Sequence, residues 1–153
     1  MLEDFIALSE ALTGVRPLDR TLANEYLGRF LTNQDVGGLL PRLISVHSDI
    51  VRQGADPNAV NAAIAARIMG DDALRPAAQQ LIYLWYVSAF FKKDATDPVK
   101  GSWQYGPAHH YKRALVWSVI RSHAPMTRGG PFGYWSQAPA EQSAVPAAAA
   151  KGE

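Results

Sequence analysis

The chain has 153 residues, 48% hydrophobic and 19% charged, and its 15 basic and 14 acidic side chains leave a formal net charge of +1. This composition is typical of one globular domain with its own core. The balanced, scattered charges argue against nucleic-acid binding, and the absence of cysteine excludes disulfides, thiolate nucleophiles and cysteine-ligated metals.

Two amphipathic helices are predicted near the N-terminus. Apolar residues recur at helical intervals over residues 2–12, and Gly14 follows as a suitable helix end. A second stripe covers residues 22–31 behind Asp19, which predicts a helix whose first turn is capped by that carboxylate.

Two more helices follow in the middle of the chain. The third spans about residues 39–52, with Pro41 in its first turn, where the missing N–H costs nothing. The fourth begins with Asp56 as N-cap and Pro57 at the first helical position, and it stops at Gly70.

The longest apolar run, "LIYLWYVSAFF", extends from Leu81 to Phe91. It is well short of the ~20 residues that cross a bilayer, so we expect a buried central helix rather than a membrane span. Turn residues then fill the stretch between Lys92 and Pro107, and helical spacing returns from about residue 108 until Pro125.

These patterns predict an all-α protein, a bundle of about six helices with a long irregular C-terminal arm, because we find no stretch with a convincing period of two. We expect a helical domain over residues 1–124. An aromatic and glycine-rich partner-binding segment would follow at 125–139, and a disordered tail at 140–153.

The sequence predicts no catalytic group and no metal site. It lacks a G-x-S-x-G turn, and Gly129-Gly130 is not followed by the Lys-Ser/Thr of a phosphate loop. His109 and His110 are the best metal candidates, yet adjacent helical side chains point about 100° apart. We interpret them as an exposed first helical turn.

Three other titratable residues receive structural interpretations. His47 lies in an apolar stripe, which indicates a partly buried, hydrogen-bonded side chain. Asp71 and Asp72 precede a helix and are interpreted as capping residues rather than a catalytic pair.

Aromatic side chains in non-helical segments are the most informative remaining feature. Trp103 and Tyr105 lie in one such segment, and Phe132, Tyr134 and Trp135 lie in another. Two interpretations stay open: the rings fold back over the chain's own helices, or they form a partner interface, where Trp and Tyr are enriched.

Several segments in order resemble the small subunit of membrane-associated, FAD-dependent sugar and polyol dehydrogenases, a family typified by D-sorbitol and D-fructose dehydrogenase. The resemblance is carried by "LSEALTG…LD", "LIYLWYVSAFF", "YKRALVW" and "PFGYWSQAP", and it covers most of residues 5 to 139. Each segment is modestly specific alone, and their shared order makes chance unlikely.

The resemblance implies a non-catalytic subunit without a cofactor of its own. In that family a large flavoprotein subunit carries FAD and oxidises the alcohol, and a multihaem cytochrome c often passes electrons to membrane quinone. The small subunit assists folding of the large one and accompanies it through twin-arginine export. The resemblance therefore implies a periplasmic location, with membrane association only through the complex.

Two departures from the family pattern affect these expectations. The twin-arginine signal is missing, so we expect a mature or trimmed form. Relatives commonly have a cysteine just before the glycine-rich segment, where this chain has Thr127 and Arg128. Any attachment to the large subunit through this segment must therefore be non-covalent.

The predicted interface combines positions matched to the family with the neighbouring loop aromatics. The predicted partner-binding residues are Trp103, Tyr105, Gly130, Pro131, Phe132, Gly133, Tyr134 and Trp135. The matched residues Tyr111, Ala114, Leu115 and Trp117 have helical spacing and are assigned to the core first. The alternative is a free-standing helical adaptor or self-associating protein without a flavoprotein partner.

Overall fold

A computed structural model of the chain describes residues 1–54, 56–94, 96–97, 100–122 and 124. The described chain is mostly helical, carries one small β-hairpin, and divides into two compact units, Met1–Ile82 and Tyr83–Glu153. In chain order the α-helices and strands are α1 (Leu2–Thr13), α2 (Arg20–Leu31), α3 (Leu40–Gln53), α4 (Pro57–Ile64), α5 (Arg75–Val87), β1 (Ala89–Lys93), β2 (Gly101–Tyr105), α6 (Ala108–Lys112) and α7 (Leu115–Val119). A 3-10 helix (Gly37–Leu39) precedes α3, and a π-helical segment (Ala65–Met69) continues α4 as far as Gly70.

The start and stop signals of the first helices are confirmed. Asp19 Oδ1 accepts a hydrogen bond from the Leu22 N–H at 2.8 Å, and Asp56 Oδ1 accepts one from the Ala59 N–H at 2.9 Å. Gly14 ends α1 in the left-handed conformation with φ of 72°. These local bonds satisfy main-chain groups that a helix end leaves unpaired.

The core of the first unit is built by α1, α2 and α3, with α4 packed against α3. Phe5 of α1 and Phe30 of α2 are fully buried and meet edge to face with ring centroids 6.4 Å apart. Leu43 and Ile50 of α3 are also buried. The helical stripes predicted from the sequence thus form this core.

The prediction of an all-α protein is wrong in one segment, because the run predicted as helix to Phe91 changes to a strand. Helix α5 ends at Val87, and Ser88 takes a left-handed conformation with φ of 54°. The chain then extends as β1, which pairs antiparallel with β2. Aromatic residues such as Phe90 and Phe91 suit a strand as well as a helix, and the pairing with β2 decides between them.

The helix predicted from residue 108 onward is divided. Helix α6 ends at Lys112, Ala114 is extended with ψ of 136°, and α7 begins at Leu115. The Trp117 ring lies 5.1 Å from the Tyr111 ring, and its Nε1–H donates to the Tyr111 carbonyl at 2.7 Å. Trp117 therefore stabilises the turn between the two short helices.

None of the helices in the described ranges has the length and apolar content needed to cross a membrane. The predicted partner-binding segment at 125–139 and the predicted tail at 140–153 lie outside the described residues.

Candidate functional site

The β1–β2 hairpin of the second unit has two different faces. Side chains alternate along a strand, so Phe90 lies on one face while Phe91, Trp103 and Tyr105 share the other. Phe90 is buried, whereas every residue of β2 is exposed. We call Phe91, Trp103 and Tyr105 the aromatic face.

Trp103 is the centre of this surface. Its ring lies 4.9 Å from Phe91, its direct partner on β1, and 5.4 Å from Tyr83 on α5. Even with these contacts the Trp103 side chain is 41% exposed, and Tyr105 is 64% exposed. The Trp103 ring is thus held in place on one side and open to solvent on the other.

Glycine is required at position 101 by the same packing. A Cβ there would clash with the Phe91 ring and lie 2.6 Å from the Lys92 carbonyl oxygen. Phe91 therefore covers Gly101 diagonally across the hairpin. This arrangement fixes the position of the ring that supports Trp103.

The hydrogen bonds at the two ends of the hairpin show which main-chain groups are paired. The Asp94 N–H donates to the Lys100 carbonyl at 3.0 Å, and the Gly106 N–H donates to the Ser88 carbonyl at 3.2 Å. Both pairs continue the observed register. Because paired and unpaired positions alternate in an antiparallel ladder, even-numbered residues bond across the hairpin.

The odd-numbered residues of β2 therefore direct their main-chain groups away from β1. These are Gly101, Trp103 and Tyr105, and we call their N–H and C=O groups the outer edge of β2. Within the described residues no third strand joins the sheet, and no hydrogen bond to these main-chain groups is found. Trp103 and Tyr105 belong to both the aromatic face and the outer edge.

Positive charge lies at the tip of the hairpin, where an open depression is lined by both strands. Lys100 pairs with Asp97 at 3.1 Å, while Lys92 and Lys93 are exposed and have no ion-pair partner among the described residues. Asp94 accepts hydrogen bonds from the Thr96 hydroxyl and N–H, which together lower the pKa of its carboxyl group. Asp94 Oδ1 is thus already engaged within the turn.

The burial of three histidines agrees only in part with what the sequence predicted. His47 is buried as expected, although no hydrogen bond of its side chain is found among the described residues, and this burial, followed by the positive charge of Arg16, lowers its pKa. The interpretation of His109 and His110 as an exposed turn is right for His109 but wrong for His110, which is buried. Their rings meet edge to face, with centroids 4.4 Å apart.

The interpretation of Asp71 and Asp72 as capping residues is confirmed for Asp71, whose side chain accepts main-chain hydrogen bonds, but not for Asp72. Asp71 Oδ1 accepts hydrogen bonds from the N–H groups of Ala73 at 2.8 Å and Leu74 at 3.2 Å, and these bonds lower the pKa of Asp71. Asp72 forms an ion pair with Arg75. Both acids thus organise the turn that leads into α5.

Only two of the predicted partner-binding residues, Trp103 and Tyr105, fall within the described residues. The other six lie outside them: Gly130, Pro131, Phe132, Gly133, Tyr134 and Trp135. Sequence reasoning missed Phe91 as part of this surface. The available signal was the two-residue spacing of Trp103 and Tyr105, which is the period of a strand.

No protein-family model matches the chain, and no curated protein matches it either.

Proposed function

We propose that this chain is a non-catalytic small subunit that binds a large FAD-dependent sugar or polyol dehydrogenase subunit and stabilises it. Two supports are the resemblance of the segments quoted above and the aromatic face of the hairpin. The flavin belongs to the large subunit, and a multihaem cytochrome c is a possible third subunit. We expect the complex in the periplasm, associated with the membrane through its other subunits.

The exposure of Trp103 and Tyr105 is the observation that carries the proposal. The hairpin buries Phe90 on one face, whereas Trp103 and Tyr105 on the other face keep much of their surface exposed. Exposed Trp and Tyr side chains are costly in water and are enriched where two proteins meet. Phe91 and Tyr83 support Trp103 from behind, which is the arrangement of a preorganised anchor.

Stabilisation of the large subunit follows from binding alone. A partner that binds only the folded state adds RT ln(1 + [L]/Kd) to its stability, which is about 2.7 kcal/mol when the partner is present at one hundred times its Kd. A small subunit needs no catalytic group to act in this way. It needs a surface with anchors that become buried in the complex.

Co-expression of the large subunit with and without this chain tests the proposal. The soluble yield of the large subunit and its bound-flavin absorbance are measured across a sizing column. We expect flavin, large subunit and this chain to elute together, and the yield to fall sharply when this chain is omitted.

A pair of variants then assigns the effect to the hairpin. Trp103→Ala combined with Tyr105→Ala is expected to weaken the complex by ~2 kcal/mol or more, which is about thirtyfold in Kd. Val51→Ala is the matched control, since Val51 is an exposed apolar residue on α3, away from the hairpin in sequence. If the large subunit folds and binds flavin equally well alone, the free-standing adaptor replaces this proposal.

A further inference from the structure

We propose that the outer edge of β2 pairs with an extended segment of the large subunit, which adds a third strand to the hairpin. This inference rests on the proposed function and states how the partner is held. The added strand would bond to the main-chain groups of Gly101, Trp103 and Tyr105, and acidic side chains at its end would face Lys92 and Lys93 across β2.

The ladder geometry supplies the first argument. Gly101, Trp103 and Tyr105 direct their N–H and C=O groups away from β1, and no described residue bonds to them. Such a row is the template on which another strand forms main-chain bonds. The side chains of Trp103 and Tyr105 would then contact alternate residues of the incoming segment.

The sequence of β2 supplies the second argument. Proteins protect exposed edge strands with charged residues, proline or bulges, and the β2 sequence "GSWQY" contains no charged residue and no proline. Its register with β1 also runs without interruption over five residue pairs. As far as the described part of the chain goes, this edge is therefore open to pairing.

The charges at the hairpin tip indicate which kind of segment would pair with β2. Lys92 and Lys93 end β1 without ion-pair partners among the described residues, while the carboxylates of Asp94 and Asp97 are engaged in the turn. A segment with aspartate or glutamate near this end complements them and gains in association rate. A like-charged or lysine-rich segment is disfavoured.

A second copy of this chain fits less well. Two β2 strands pairing with each other bring together only the uncharged residues Gly101 to Tyr105 of each chain. Self-pairing also provides no acidic group for Lys92 and Lys93, because β2 itself is uncharged. The large subunit can supply both the strand and the acids.

Two substitutions of Tyr105 distinguish the contribution of its outward main-chain N–H from that of its aromatic ring. Tyr105→Ala removes the aromatic ring, and Tyr105→Pro removes both the ring and the outward N–H. Proline is tolerated on an edge strand where its missing N–H faces outward. We expect Tyr105→Pro to raise the Kd for the large subunit about fivefold more than Tyr105→Ala does, the loss of one hydrogen bond.

Amide hydrogen exchange provides an independent readout on the wild-type chain. The Ser102 and Gln104 amides, bonded within the hairpin, should be protected in both the isolated chain and the complex. The Trp103 and Tyr105 amides should exchange freely in the isolated chain and slow at least about tenfold in the complex. Near-ultraviolet circular dichroism confirms that each variant keeps its hairpin.

Charge reversal at Lys92 and Lys93 tests whether the segment that pairs with β2 is acidic. The double substitution Lys92→Glu, Lys93→Glu should slow association and reduce its dependence on salt. Lys112→Glu on α6 is the control for a general change of charge.

The outcomes distinguish this inference from the proposed function. If the wild-type chain binds the large subunit but Tyr105→Pro equals Tyr105→Ala, the edge inference is overturned and the proposed function stands. Protection of the Trp103 and Tyr105 amides in the isolated chain, or their free exchange in the complex, also overturns it. If the wild-type chain does not bind the large subunit, both are overturned.

Discussion

Phe91 and Trp103 stand directly opposite each other on the two hairpin strands, with ring centroids 4.9 Å apart. They occupy a position without cross-strand hydrogen bonds, where opposite side chains lie closest in an antiparallel pair. Trp103 therefore stabilises the hairpin while exposing part of its ring. Tyr105, on the same face, has no ring contact within the described residues.

Substitution of Trp103 and of Tyr105 should distinguish an effect on the stability of the chain from an effect on partner binding. Trp103→Ala should lower the free energy of unfolding by about 1.5 kcal/mol, because two aromatic contacts are lost. Tyr105→Ala should change it by less than about 0.5 kcal/mol, since the side chain is largely exposed. Urea unfolding of the isolated chain measures both values.

The same variants should both weaken the complex with the large subunit. Isothermal titration measures that effect separately from the unfolding experiment. Equal affinity of Tyr105→Ala and the wild type for the large subunit would contradict the assignment of Tyr105 to the interface.

The buried imidazole of His47 should make the protein less stable in mild acid. Burial and the charge of Arg16 disfavour its protonated form, so the pKa of His47 in the folded chain lies below its ordinary value of 6.5. The unfolded chain takes up the proton first as the pH falls. The contribution is complete above about pH 6.5 and is lost as the pH falls toward the lowered pKa of His47.

Thermal unfolding at about pH 7.5 and pH 5 measures this loss, with His47→Gln as the comparison. Glutamine is polar but does not titrate, so the variant should show a smaller fall in Tm over the same interval. A fall as large as in the wild type would assign the acid sensitivity to other groups.

The left-handed Ser88 should be a position where glycine stabilises the chain. A non-glycine residue with a backbone φ of 54° is strained because its Cβ crowds the main chain, whereas glycine adopts this conformation freely. We expect Ser88→Gly to be about 1 kcal/mol more stable than Ser88→Ala, which also loses the hydroxyl but keeps Cβ. Guanidinium unfolding compares them, and an equal midpoint would show that the helix-to-strand turn is unstrained.

Two adjacent glycines should respond differently to alanine. A Cβ at Gly37 would lie 2.6 Å from the Leu31 carbonyl oxygen and 2.7 Å from that of Phe30, whereas a Cβ at Gly38 meets nothing within 4 Å. We expect Gly37→Ala to destabilise the chain by about 2 kcal/mol and Gly38→Ala to be nearly neutral. Thermal unfolding followed by circular dichroism distinguishes the two.

The helices of the first unit could be predicted because their signals are local. The carboxylates of Asp19 and Asp56 bond to N–H groups three residues ahead, and Gly14 ends its own helix. Residues next to one another in sequence decide such features. The apolar stripes of these helices then pack against one another to form the core.

The hairpin could not be predicted in the same way, because its pairing joins residues far apart in the chain. Phe91 meets Trp103 twelve positions later. No glycine or proline marks the end of α5, where Ser88 takes the left-handed conformation instead. Trp103 and Tyr105 could be recognised as non-helical aromatics, while the edge they share required the observed register.

The open outer edge of β2 has a consequence for how the chain must be produced. A neutral, unprotected edge is also where surplus copies stack into aggregates. An excess of this chain over the proposed large subunit should therefore favour self-association as its concentration rises. Under the proposed function, balanced production of the two subunits would limit this self-association, an effect set by five residues of a single strand.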